Sequence, residues 1–299
     1  MLKIINKILL KIFNIELVSK KKIDKLTHEL KATKEELNKL KSQSYQNNTW
    51  VITEIDNDIL QWVALNDMGV SYHCIKGNYE LSETHFIKSN LNEGMTFVDI
   101  GANIGWFTLI AAKAVGPKGR VYAFEPRTYL YKYLLKSIKL NNFDWVKAYN
   151  YALGDKDQIL HIGWGKKNEN LGGTWLITSD EVRSELTEHD FERIEVKRLD
   201  QLLQNCSVDL IKIDIEGAEY LAIKGAEQII SESKPTILSE ISPTLLKKIS
   251  GITAEQYIDY MKRLGYECYS LTNGTIGSPI IPNSIKEIIN VIFIHKTKI

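Results

Sequence analysis

Residues 97–108 read Phe-Val-Asp-Ile-Gly-Ala-Asn-Ile-Gly-Trp-Phe-Thr, and this stretch constrains the fold most tightly. Phe97 to Ile100 has the apolar, partly β-branched composition of a buried strand. Gly101 and Gly105 bracket a tight turn, and from Trp106 apolar residues return at helical spacing through Leu109, Ile110 and Ala112. A strand, a glycine turn and a helix start leave backbone N–H groups bare to an approaching ligand. The next expected strand, Arg120 to Phe124, is followed by Glu125. A carboxylate placed there, about 20 residues beyond the turn, suits the two hydroxyls of a ribose. The glycine spacing is Gly-x-x-x-Gly rather than Gly-x-Gly-x-x-Gly. It argues against a dinucleotide pyrophosphate, and so against a nicotinamide oxidoreductase, and favours a nucleoside ligand without phosphates.

The same alternation continues along the chain. Strands are expected at 96–100, 120–125, 146–152, 209–214, 235–241, 266–271 and 290–295, with helical patterns at 127–140, 217–231 and 254–264. This predicts an α/β domain over residues 50–299, with a mainly parallel sheet and helices on both faces. Residues 156–200 break the rhythm. Gln158–Ile162 and Glu195–Leu199 are expected to pair as extra strands around a loop carrying Trp164, Gly173 and Trp175. Loops of that length are functional or disordered, and the two tryptophans favour an acceptor-site wall or lid.

Residues 1–49 have a different character. They hold 11 lysines and 5 acids, a net charge of +6, so the remainder carries about −5 of the overall +1. Basic charge confined to one end argues against a nucleic-acid binder. Lys3, Lys7 and Lys11 interrupt the apolar run of residues 1–18, leaving neither a bilayer-spanning stretch nor a signal peptide. Spaced four apart, they form one stripe on an otherwise apolar helix suited to an anionic membrane surface, to a partner's groove, or to this protein's own surface. Ile23, Leu26, Leu30, Leu37 and Leu40, with Thr33 in the remaining slot, make about three heptads, enough for a weak homodimer through residues 23–40 or a solvated single helix. Ser42–Asn48 reads as a linker. Cys74, Cys206 and Cys268 are scattered and the six histidines show no ligand spacing, so free thiols, no metal site and a cytoplasmic setting are expected.

In open α/β sheets ligands bind beyond the carboxyl ends of the strands. Asp99 and Gly101, Glu125, Asn150–Gly154, Asp214 with Glu216, and Glu240 all fall there. Together they predict a pocket for S-adenosylmethionine. Asp99 orients the turn and, directly or through water, holds the amino group of the methionine moiety. Tyr151, Ala152 and Leu153 contact adenine. Asp214 and Glu216 sit where the sulfonium methyl points, and a carboxylate there takes the acceptor's proton. Glu240 joins them as a third candidate catalytic acid. Glu216 and Glu219 have a plainer reading too, as acids favouring the start of the helix near Gly217.

Four segments carry a resemblance: Phe97-Val-Asp-Ile-Gly-Ala-Asn-Ile-Gly105, Ala123-Phe-Glu-Pro126, Asn150-Tyr-Ala-Leu-Gly154 and Lys212-Ile-Asp-Ile-Glu-Gly-Ala-Glu219. In that order they resemble the FkbM family of S-adenosylmethionine-dependent methyltransferases, over roughly residues 78–295. The resemblance implies a class I methyltransferase (Rossmann-like) fold of seven strands, the last antiparallel, here Asn290–His295. It adds Asn103, Gly105 and Pro126 to the donor site, and Asn170-Leu-Gly-Gly173 is similar to a family loop near the acceptor. It implies O-methylation of a small-molecule or glycan hydroxyl. On a lipid-linked sugar, the basic N-terminus would meet the substrate at the inner membrane face. A rival expectation is a coiled-coil interaction protein whose domain binds the donor without turnover.

Overall fold

The computed structural model describes residues 50–164, 173–177 and 191–299. The chain divides between residues 49 and 50. The N-terminal helix, the short coiled coil and the linker expected over residues 1–49 lie outside the described residues, as does Asn170.

The strands are β1 (Trp50–Ile55), β2 (Ile59–Ala64), β3 (Thr96–Ile100), β4 (Arg120–Phe124), β5 (Val146–Tyr149), β6 (Ala152–Leu153), β7 (Gln158–Trp164), β8 (Thr174–Ile177), β9 (Phe191–Lys197), β10 (Leu210–Ile213), β11 (Thr236–Ile241), β12 (Tyr266–Thr272), β13 (Thr275–Pro279) and β14 (Ile289–His295). The helices are α1 (Ser71–Ile75), α2 (Leu81–Asn90), α3 (Trp106–Val115), α4 (Thr128–Leu140), α5 (Leu199–Leu202), α6 (Glu219–Lys224), α7 (Glu227–Ser233), α8 (Pro243–Ile249) and α9 (Ala254–Arg263).

The main sheet has eight strands in the order β13-β12-β14-β11-β10-β3-β4-β5. β11, β10, β3, β4 and β5 pair in parallel, and β14 inserts antiparallel between β11 and β12. This is the expected α/β sheet with its last strand antiparallel. It gains an edge strand, β13, folded back on β12. The central strands are apolar on both faces because helices cover both, as parallel sheets require. Phe97 and Leu210 pack with Leu109, Ile110 and Leu134 on one side, and Val98, Ile211 and Ile213 with Ile223, Ile230 and Tyr257 on the other. Helix α9 shows how local sequence and packing agree. Thr253 and Gln256 form a reciprocal capping box, and Tyr257, Ile258 and Met261 fall on the buried face.

The structure departs from the sequence expectation in three places. The third strand stops at Tyr149 because Asn150 turns back, its Nδ2 donating to the carbonyls of Glu125 and Pro126 at 2.9 and 2.8 Å. Ala152–Leu153 then joins the smaller sheet β6-β9-β7-β8. In that sheet β7 and β9 pair antiparallel, as expected, but β9 starts at Phe191 and β7 continues to Trp164. The helix expected over 217–231 is two helices broken near Gly225. A Cβ built there would lie 1.9 Å from the Gly154 carbonyl oxygen, so two chain segments meet backbone to backbone.

The hairpin β1-β2 anchors the N-terminal edge of the domain on α4, with the Asn141 side chain bonding both backbone groups of Leu60 at 2.8 and 2.6 Å. After the hairpin, the Asp67 carboxylate collects the N–H of Gly69 and the N–H and hydroxyl of Ser71 at 3.1, 2.8 and 2.8 Å. That Asx-type turn fixes Gly69 and Val70 over the ends of the central strands.

Candidate active site

The carboxyl ends of β3, β4, β10 and β11 open into a cavity of about 280 Å³, closed laterally by residues 69–80 and by β6, β7 and β8. The floor is the glycine turn. Gly101 has φ +89°, and a Cβ there would sit 2.0 Å from the Asp214 carbonyl oxygen. The two most specific sequence segments therefore touch through bare backbone, which only glycine allows. The N–H groups of Gly101 and Ala102 donate to Phe124 O at 3.0 and 2.9 Å, and Asp214 N donates to Ile100 O at 3.1 Å, so the three strand ends are stitched together. Asn103 is left-handed at φ 53°, a conformation asparagine tolerates, and its N–H donates to Glu125 Oε2 at 2.8 Å.

Glu125 is 5% exposed, and its other oxygen accepts from Arg127 N at 2.8 Å. Burial pushes its carboxyl up to about 7, against the pull of these two N–H groups and the Arg127 charge. Each oxygen keeps lone-pair capacity for a further donor. Beside it Pro126, Phe124, Leu130, Tyr151, Ala152, Leu153, Ile162 and Leu176 give an apolar wall.

The opposite end is acidic and strained. Asp214, Glu216 and Glu240 line it, as expected, and so do Tyr79, Glu80 and Lys212. Glu80 and Glu216 are both left-handed, at φ 39° and 53°, outliers for residues of this type. The turn at Glu216 is held by Glu219, which is 1% exposed and whose Oε1 accepts from the N–H of Ile215 and of Gly217 at 3.1 Å each. Glu219 thus holds the turn ahead of α6 and lies in that helix's first turn, as its plainer reading has it. Burial, reinforced by the Asp214 charge, raises Glu216 to about 7. Burial and the charges of Asp214, Glu216 and Glu219 raise Glu240 to about 8. Burial raises Glu80 to about 7 although Lys212 pulls it down. For Lys212 burial works downward, but Asp214, Glu80 and Asp99 outweigh it and hold the ammonium above its ordinary range.

Two expected donor residues stand outside the cavity wall. Asp99 is 1% exposed, with Oδ2 accepting the Thr108 hydroxyl at 2.6 Å and Oδ1 buried without a hydrogen-bond partner, so it is set behind the cavity's lining. Gly105, at φ +97°, allows α3 to start against α4, since a Cβ would meet Leu134 Cδ1 at 2.6 Å. Of the acceptor residues, Gly173 lines the cavity. Trp164 stands outside the cavity wall, half-buried at the end of β7 with its ring 4.2 Å from the Arg127 guanidinium. Trp175 belongs to β8, its side chain lying outside the described residues. Sequence reasoning passed over Lys212, although a lysine within Leu-Ile-Lys-Ile is a signal, because a buried strand does not hold an ammonium without partners. Tyr79 and Glu80 come from outside the sheet, and nothing in their local sequence points to the cavity. Among the described residues no group of three or more His, Cys, Asp or Glu is arranged to hold a metal ion.

The methyltransferase FkbM domain family matches residues 99–268. No curated protein matches the chain. Among solved structures, methyltransferase FkbM from Methylobacillus flagellatus KT is 18% identical over 69% of this chain with a TM-score of 0.44. The match covers 44% of that protein, so the chain spans less than half its length. A putative rRNA methylase from Clostridium thermocellum is 14% identical, covering 71% of this chain and 92% of its own, with a TM-score of 0.44. M. jannaschii TYW2, crystallised in complex with AdoMet, is 18% identical, covering 83% and 85%, with a TM-score of 0.41.

Proposed function

This chain belongs to the FkbM methyltransferase family and is an S-adenosylmethionine-dependent methyltransferase, and on that premise we propose that it methylates a sugar hydroxyl in a glycan, a glycolipid or a related natural product. One observation carries the reading: the cavity lined by Glu125 at the end of β4 is also lined by Asp214, Glu216 and Glu240 at the ends of β10 and β11, and burial raises the proton affinity of Glu216 and Glu240 toward neutrality.

The residues fit the donor. Glu125 offers two oxygens to two ribose hydroxyls, the apolar wall of Tyr151 to Leu153 suits adenine, and the Gly101–Asn103 turn, its N–H groups spent on Phe124 O and Glu125 rather than bare as the sequence suggested, borders the space between them. When bound, S-adenosylmethionine supplies an electrophilic methyl group on a sulfonium. The protein's own part is to hold the acceptor oxygen in line with that methyl and to take its proton. In-line holding is worth several orders of magnitude in rate. An alcohol is a poor nucleophile while protonated, and Asp214, Glu216 and Glu240 stand where its proton must go. Glu216, which burial raises to about 7, is a competent base at neutral pH.

The N-terminal segment complements this reading. Residues 1–20, with their lysine stripe, make peripheral contact with an anionic membrane at the cytoplasmic face, and residues 23–40 pair as a homodimer. Among the described residues no helix is long and apolar enough to cross a membrane. Removing residues 1–20 is expected to abolish sedimentation with anionic vesicles, and unchanged sedimentation contradicts the membrane contact.

The acceptor is tested by labelled-methyl transfer to extracted glycans and glycolipids, followed by acid hydrolysis. The expected label is a base-stable methyl ether on a monosaccharide. Donor binding with no label in any pool contradicts the sugar reading and favours the non-catalytic alternative.

A further inference from the structure

Lys212 is the third residue of β10, whose other three residues are apolar and buried, and it is itself 4% exposed. Its Nζ donates to Asp214 Oδ2 at 3.0 Å and lies 4.5 Å from the centre of the Phe107 ring. Its register partner on β3 is Asp99. Glu80, ahead of α2, and Glu240, on β11, act on the same ammonium through space, and Tyr79 lines the cavity beside Glu80. The charge is thus faced by Asp99 from β3, Asp214 beyond β10, Glu80 and Tyr79 from the α2 approach, Glu240 from β11, and the Phe107 ring from α3. A methionine would fill the same space without the desolvation penalty of a buried ammonium. Packing therefore does not account for a lysine here, whereas an arrangement of carboxylates around one cation does.

We propose that Lys212 is a positioning residue for methyl transfer: its ammonium, backed by Phe107, fixes the Asp214 carboxylate beside the glycine turn and supplies the positive charge around which the acids of the acceptor end are set. The inference deepens the methyl-transfer reading, but its electrostatic half is readable without any acceptor. Removing the charge leaves Glu80 and Glu240 facing Asp99 and Asp214 without their shared counter-ion, so both hold their protons to higher pH.

The test uses the full chain with Lys212→Met and Lys212→Arg, their folds checked by circular dichroism. Glutamate carboxyls are labelled with carbon-13 and titrated by NMR, with Glu80→Gln and Glu240→Gln assigning the two signals. In Lys212→Met both midpoints are expected to rise by roughly one pH unit or more, and Lys212→Arg keeps them near the wild-type positions. Should Lys212→Met fail to fold, Lys212→Gln, which keeps a donor toward Asp214 without the charge, carries the same comparison. On an active acceptor, Lys212→Met is expected to lower kcat by roughly 10²-fold, as a misplaced reacting group does, with Lys212→Arg recovering part of it. Coincident titrations in wild type and variant overturn the proposal, as does an unchanged kcat. If the wild type labels no glycan, the sugar reading falls, while the titrations still decide the role of Lys212.

Discussion

Replacing Glu125 by alanine removes the contact on which donor recognition is built. Its two oxygens each accept one backbone N–H at 2.8 Å and keep capacity for one ribose hydroxyl each. A hydrogen bond to a charged group contributes about 1.5–3 kcal/mol, so losing both hydroxyl contacts weakens binding by roughly 3–6 kcal/mol, or about 10²- to 10⁴-fold in Kd. The side chain also ties Asn103 to Arg127, so the alanine variant loosens the turn and belongs at the upper part of that range. Glu125→Gln keeps one acceptor oxygen but turns an amide NH2 toward a backbone N–H. It is expected to weaken binding by about 10- to 150-fold. Burial holds the Glu125 carboxyl up at about 7, and only its ionised form accepts at both oxygens, so wild-type affinity should fall as pH drops through 7. In Glu125→Gln that fall is lost. Isothermal calorimetry with S-adenosylmethionine between pH 6 and 8 reads all of this. A Glu125→Ala variant that folds and binds within threefold of wild type would refute the ribose role.

Gly101→Ala forces a side chain onto the Asp214 carbonyl at φ +89°, and is expected to destabilise the fold by about 3 kcal/mol or more with loss of donor binding, read by thermal melts and calorimetry. Gly217→Ala, at φ +96° with Leu245 backbone atoms 2.5 Å from the new Cβ, should act similarly by distorting the Glu216 turn, and a melting temperature equal to wild type would contradict this. Glu80, Glu125, Glu216 and Glu219 are each raised from 4.5 to about 7 and Glu240 to about 8, so the folded chain binds more protons than the unfolded one across that window. Stability of the donor-free protein must therefore fall as pH rises from about 5 to 8. The melting temperature is expected to be higher at pH 6 than at pH 8 by about 5 °C or more, and the opposite slope would show that these acids are not buried.

What was legible in the sequence was what is local. The strand, turn and helix around Gly101, the acid after β4 and the Asp214–Glu219 segment each carry their signal within a dozen residues, because turn chemistry and apolar periodicity are local properties. Strand order could not be read this way, but right-handed crossovers leave few alternatives once strands and helices alternate. The misses are long-range. Asp99 points to the site in sequence yet is set behind the cavity's lining, because the face of a strand residue is decided by which helix covers it, here α3 through Thr108. Asn150 ends β5 rather than lining the pocket because two carbonyls of the preceding crossover capture its amide. Glu80 reaches the acids of β10 and β11 from a segment ahead of the first core strand, a proximity that only the folded sheet creates.

Structure determination with S-adenosylhomocysteine bound tests the assignment of the cavity most directly. The expected result places both ribose hydroxyls within hydrogen-bonding reach of the Glu125 oxygens, adenine against Tyr151–Leu153, and the sulfur facing Asp214, Glu216 and Glu240. A ligand bound elsewhere, or one whose sulfur points away from those acids, would contradict it.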